Sequence, residues 1–173
     1  MLSLLASWLL LIGGSIRAQP IELVDFRNHT YSLVRFGHPD TITLEKGRAK
    51  FPDDPKVAPG ISLLSVRYGD LDGDGLEEAL VVLRYDSAGS ALDYDYCFVF
   101  RMGPAGPKIW YSDQYESAAA IVLVGDTVVV NAPFWLPKDA HCCPTYDARY
   151  TIKSTAGKLG VVAKRLHRRT KSA

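Results

Sequence analysis

Apolar residues along this chain come in short runs, separated by clusters of Gly, Pro, Asp and Asn. Little of the pattern has helical spacing. Runs rich in β-branched and aromatic residues and bounded by turn formers predict an all-β fold. The predicted strands are Ile21–Asp25, Thr30–Phe36, Thr41–Leu44, Arg48–Phe51, Leu63–Tyr68, Ala79–Tyr85, Tyr94–Arg101, Lys108–Tyr111, Ala119–Val124, Thr127–Asn131, Ala148–Lys153 and Leu159–Ala163. Alternation assigns faces, because successive strand residues point to opposite sides. It puts Leu64, Val66 and Tyr68 on one side of their strand, and Ser65 and Arg67 on the other. Ala79 to Leu83 is apolar on both sides, as in a strand covered by two layers. Tyr96, Phe98 and Phe100 form an aromatic face expected to pack in a core.

The breaks between runs have their own logic. Glu45-Lys46-Gly47 predicts a hairpin joining Ile42–Leu44 to Ala49–Phe51. Gly125-Asp126 leaves two residues between apolar runs, a type I′ or II′ signal, since Gly tolerates positive φ. Met102–Pro107 carries two prolines that cannot donate to a ladder and reads as an exposed loop. The proline-rich segment Pro52–Gly60 reads as a connector. Short turns imply antiparallel neighbours, hence mainly antiparallel sheet, sandwich-like or a curved meander. Ala132–Pro144 reads as a long loop, a kind often functional. Phe134 and Trp135 within it either pin it to the body, the favoured reading, or form a contact surface with His141.

Composition narrows the setting. Met1–Ala18 has an apolar stretch from Leu4 to Ile12 followed by small residues, the outline of a signal peptide whose helix ends at a cleavage point near Ala18. The stretch is short for a membrane span, so none is expected after cleavage. The remaining 155 residues suit a single β-rich domain over 19–163, followed by a basic flexible tail over 164–173. Lys164, Arg165, Arg168, Arg169 and Lys171 crowd that tail. Without them and Arg17, the 20 basic residues fall to 14 against 19 acids. A body with that acidic balance lacks the basic face of a nucleic-acid binder. The expected location is periplasmic or extracellular.

The densest chemistry is Asp70-Leu71-Asp72-Gly73-Asp74-Gly75-Leu76-Glu77-Glu78. Calcium takes about six to eight oxygens in flexible geometry. Alternate carboxylates at Asp70, Asp72 and Asp74 can converge from one tight curve, the Leu76 carbonyl can add an oxygen, and Glu78 closes the set. Five acids in nine residues repel one another, and a divalent ion offsets that repulsion. An EF-hand is excluded, because its twelfth position needs a bidentate Glu and here holds Val81. The plain alternative is an Asx-type turn without metal.

Two resemblances follow from these residues. Val66–Leu83 resembles the β-loop-β calcium hairpin of FG-GAP and VCBS-type repeats. It occurs once, whereas a propeller needs a repeating period. The resemblance implies calcium on Asp70, Asp72, Asp74, Leu76 and Glu78, with Glu78 standing where that pattern usually has Asp. More broadly, five fragments are similar to small exported bacterial proteins related to the LppP/LprE lipoprotein group: Val24–Tyr31, Tyr68–Ala79, a Gly89-Ser90 loop, Tyr96–Phe100 and His141-Cys142-Cys143-Pro144. That similarity implies an exported protein and brings no catalytic residues. The lipobox Cys of the lipoprotein members is absent.

Export permits disulfides among Cys97, Cys142 and Cys143. The favoured pairing ties Cys97 to Cys142 or Cys143. A vicinal Cys142–Cys143 bridge comes second, and no bridge third. His141 beside adjacent cysteines lacks zinc spacing, and Gly89-Ser90 lacks a nucleophile-elbow pattern. The leading expectation is therefore a non-enzymatic exported β-domain with structural calcium. The alternatives are an envelope interaction or inhibitor module using residues 132–144 to meet an unidentified protein, and a calcium-dependent hydrolase using one of the acids at 70–78.

Overall fold

A computed structural model describes residues 19–35, 37–50, 60–87, 93–116, 120–140 and 142–169. The expectations for the leader at 1–18, the connector at 52–59, the Gly89-Ser90 loop and His141 lie outside these residues. The described chain is mostly antiparallel β-sheet, as its alternating runs require. Strands β1 (Thr30–Arg35) and β2 (His38–Thr43) form a hairpin. Strands β3 (Arg48–Lys50), β4 (Gly60–Gly69), β5 (Glu78–Asp86), β6 (Tyr94–Gly103) and β7 (Gly106–Glu116) form a five-stranded meander. Strands β8 (Ala120–Val124), β9 (Thr127–Phe134), β10 (Tyr146–Thr155) and β11 (Lys158–Arg168) form a four-stranded meander.

The doubly apolar β5 explains the layering. Ala79, Val81, Leu83 and Tyr85 join Tyr96, Phe98 and Phe100 on one face of the five-stranded sheet. They bury Tyr31, Leu33 and Ile42 of the hairpin together with Ile21, Phe26 and Leu44. Leu80, Val82, Cys97 and Val99 point to the opposite face and meet Val128, Val130, Ala132, Ile152 and Leu159 of the four-stranded sheet. Each large apolar side chain buried this way contributes about 1.5–3 kcal/mol. The covered strand and the aromatic face are thus as the pattern predicts.

Several local expectations are corrected. Ile21–Asp25 is not a strand: Ile21–Leu23 and Phe26–Asn28 are single 3-10 turns. The first turn is closed by the Leu23 and Val24 N–H groups on the Pro20 and Ile21 carbonyls, and Asp25 caps the second, accepting the Arg27 N–H at 3.0 Å and the Asn28 amide at 2.7 Å. Leu64 does not share a face with Val66 and Tyr68. A bulge between Leu63 and Ser65 lets Leu63 take the core position and leaves Leu64 47 % exposed. The Glu45–Arg48 turn forms, with Lys46 and Gly47 at φ 54° and 83°, but its flanking strands pair elsewhere, β2 with β1 and β3 with β4. Gly125, at φ 58°, turns β8 into β9 as expected.

Prolines sit within strands where loops are expected. Gly103 pairs with Gly106 and Met102 with Pro107, so the loop shrinks to Pro104-Ala105. Strand β7 is a sheet edge, where a missing N–H costs no ladder bond. Likewise Ala132, Pro133 and Phe134 belong to β9, opposite Ala148, Asp147 and Tyr146. The basic tail is also corrected: Lys164–Arg168 completes β11, paired with β10 as far as Tyr146↔Arg168. Arg169 then donates its N–H to the Thr145 carbonyl and its guanidinium to Asp147. An edge strand gives those charges the solvent they need without fraying.

Candidate metal site

The loop between β4 and β5 folds around its own carboxylates. Asp70 Oδ1 accepts the N–H groups of Gly73 (2.7 Å) and Asp74 (3.2 Å), and its Oδ2 accepts that of Gly75 (3.0 Å). Asp74 Oδ1 accepts the Leu76 N–H at 2.8 Å. Gly73 and Gly75 sit at φ 78° and 84° with open space where a Cβ would lie. Their role is therefore backbone conformation, not close packing. Leu71 turns inward and is buried in the second core, which pins the curve to the body.

That curve brings three of the expected residues together. One oxygen each from Asp70, Asp72 and Glu78 lie within 4.8 Å of one another. Glu78 begins β5, is 2 % exposed, and accepts the Leu71 N–H at 2.9 Å. Burial pushes its carboxyl above the ordinary range, with the Asp72 and Asp74 charges adding. The Leu71 N–H and Arg101 pull the other way. Asp74 stands outside the group, and its Oδ1 caps the Leu76 N–H. Leu76 gives its N–H to that cap and leaves its side chain 60 % exposed. Glu77 turns toward Glu22, and their shared hydrogen bond raises its carboxyl.

One member of the site was not foreseen. Arg101, on β6, reaches Asp72 at 2.5 Å and Glu78 at 3.6 Å. Its guanidinium stacks 4.2 Å from the centre of the Trp110 ring. The partners lie 29 residues apart in sequence, so only the β5–β6–β7 register makes them neighbours. The lone hint in the sequence is a cation at the end of an aromatic strand. Three carboxylates against one guanidinium leave the group net negative. Its donors are all hard oxygens and one of them is buried, which suits a hard divalent cation. A cleft of about 1150 Å³ opens beside it, lined by Glu22, Asp74, Glu77, Arg101 and Lys108.

The cysteine expectation is corrected. Cys142 and Cys143 form a vicinal disulfide, both exposed, while Cys97 is free. Cys97 faces the second core at 0 % exposure, too deep to reach the loop. Burial, reinforced by Asp113, pushes its thiol up to about 12, so it packs as an inert apolar group. The loop is held instead by Asp139. Its carboxylate accepts the Leu136 N–H, the Thr145 N–H and the Thr145 hydroxyl at 2.9, 2.9 and 2.6 Å. Phe134 and Trp135 are half-buried, and the Lys164 ammonium sits 3.8 Å from the Phe134 ring centre. Phe134 is the last residue of β9, so of the two aromatics only Trp135 lies in the connecting segment.

Comparison of the chain with protein-family models, curated proteins and solved structures finds no match.

Proposed function

We propose that this chain is an exported, non-enzymatic β-domain whose 70–78 loop holds a structural calcium ion. The observation that carries the reading is the convergence of Asp70, Asp72 and Glu78 oxygens within 4.8 Å. These residues would hold the ion. When bound, it would supply charge neutralisation and cross-link the start of the loop to β5. Arg101 offsets part of the negative charge in its absence and shares Asp72 and Glu78 with it. The leader-like pattern of residues 1–18 and the similarity to the LppP/LprE group support an envelope or extracellular setting. Millimolar free calcium there would fill a site of modest affinity.

Isothermal titration of the purified protein with calcium chloride is the direct test, paired with thermal denaturation. Heat of binding and an upward shift of the midpoint are expected. No heat and no shift at millimolar calcium would reduce the loop to an Asx turn neutralised by Arg101.

A second reading rests on the Asp139 clasp. It ties Leu136 to Thr145, holding the two ends of that segment together as a recognition loop for a protein partner requires. Binding to a partner that survives chelation but not Asp139→Ala would favour it.

A further inference from the structure

In the two larger sheets the edge strands are β3, β7, β8 and β11. Three of these are blunted. Strand β3 has three residues and β8 has five. Strand β7 carries Pro107 and a bulge at Trp110 on its edge, together with Asp113 and Glu116. Strand β11 is different. It has 11 residues and pairs with β10 alone among the described strands. A bulge at Val162 disturbs its start, but from Ala163 to Arg168 the ladder is regular. Val161, Val162 and Leu166 are 47, 52 and 44 % exposed. A long regular edge with exposed apolar side chains is a template for another strand.

The charge on this edge selects the occupant. From Lys158 to Arg169 there is no acid. Arg165 lies directly opposite Arg149 of β10, and both are exposed. Like charges facing each other across a ladder are destabilising, and among the described residues neither has an acid in salt-bridge reach. Pairing with a second copy of β11 would set Lys164, Arg165 and Arg168 against cations again. A cationic guard against aggregation would explain the lysine. It does not explain two arginines stacked in register beside exposed Leu166. Arg165 and Arg149 share the outer face, while Leu166 points to the other.

We propose that Ala163–Arg168 accepts an extended acidic segment of a partner protein as a fifth strand. Its alternate carboxylates meet Arg165, with Arg149 one strand further in adding to the positive charge of the same face, and its intervening apolar residues lie beside Leu166. Backbone pairing supplies the ladder, and the charge-assisted contact with Arg165, reinforced by the nearby Arg149 charge, supplies the selection.

The test uses a fluorescent Glu-Val repeat peptide, with a Lys-Val repeat and an alternately N-methylated Glu-Val repeat as controls. Anisotropy should report binding of the first only, with slowed hydrogen exchange at alternate β11 amides. Arg165→Glu should weaken the Glu-Val peptide by about tenfold or more, the scale of one lost charge-assisted contact, and admit the Lys-Val peptide. Arg165→Gln, milder for folding, should fall between. The proposal is overturned by no binding at millimolar peptide or by equal binding of the N-methylated peptide. It is equally overturned if heparin or anionic vesicles bind as tightly and Arg165→Glu discriminates nothing, which would make the edge a general anion surface.

Discussion

The loop at 70–78 and the clasp between Leu136 and Thr145 are both built by aspartate side chains that accept backbone N–H groups, yet they end in different states. In the second loop Asp139 accepts three hydrogen bonds and no second carboxylate converges on it among the described residues. The Thr145 hydroxyl, then the Leu136 and Thr145 N–H groups, hold its carboxyl below the ordinary value. In the first loop Asp70 and Asp74 do the same capping work, but Asp72 and Glu78 bring additional charge to the same place. Burial drives Glu78 in the opposite direction from Asp139. Capping alone therefore accounts for one loop and not for the other. Surplus, partly buried negative charge is what separates a loop that can hold a cation from one that is merely folded.

The comparison breaks most visibly at Glu78. Glu78→Ala leaves the Leu71 N–H without its acceptor and takes one of two carboxylates from Arg101. A loss of about 2–4 kcal/mol of stability is expected without calcium, and the calcium-induced rise in melting midpoint should vanish. Denaturant titration with and without calcium measures both. An unchanged calcium response would remove Glu78 from the site. Arg101→Gln sharpens the same point from the other side. It frees Asp72 and Glu78 from their internal cation, so calcium should bind about tenfold more tightly, the scale of one nearby charge at partial exposure. Weaker binding by calorimetry would mean that Arg101 organises the carboxylates instead of competing for them.

The layering was legible because it depends on alternation within single strands. Ala79–Leu83 shows two apolar faces in five residues, and Tyr96, Phe98 and Phe100 declare theirs as plainly. Leu64 was misread because a bulge shifts the face by one residue and leaves no local mark. The Ile21–Asp25 run departs from its β-branched pattern because two consecutive 3-10 turns, the second capped by Asp25, take up its backbone N–H groups locally. The acidic loop was visible as a string of acids. That Asp74 stands outside the converging group, and that Arg101 enters from β6, are consequences of packing and register. The favoured disulfide failed for a related reason: residue spacing says nothing about depth, and Cys97 lies under the second sheet.

The disulfide offers a smaller test of what holds the second loop. A bridge between adjacent residues closes almost no chain, so it removes little freedom from the unfolded state. Cys142→Ser with Cys143→Ser should therefore shift the denaturation midpoint less than Asp139→Ala, which removes three hydrogen bonds at once. Paired thermal melts decide the order, and a larger effect of the cysteine variant would transfer the clasp from Asp139 to the bridge.

The finest test is the acid limb of the stability curve. Asp139 titrates below its ordinary value near 3.8 in the folded state. Its carboxylate therefore contributes fully above that value, and the contribution is lost as pH falls through the lower folded value. Asp139→Asn has no charge to lose. It should be less stable than the parent at neutral pH, and the gap should narrow as pH falls below about 4. Both proteins keep the acidic loop, so its titration cancels in the difference. Denaturant midpoints measured from pH 7 down to 2 without calcium provide the comparison. Parallel curves would show that the second loop does not depend on ionised Asp139, and the contrast between a satisfied aspartate and a surplus of them would fail at its simpler end.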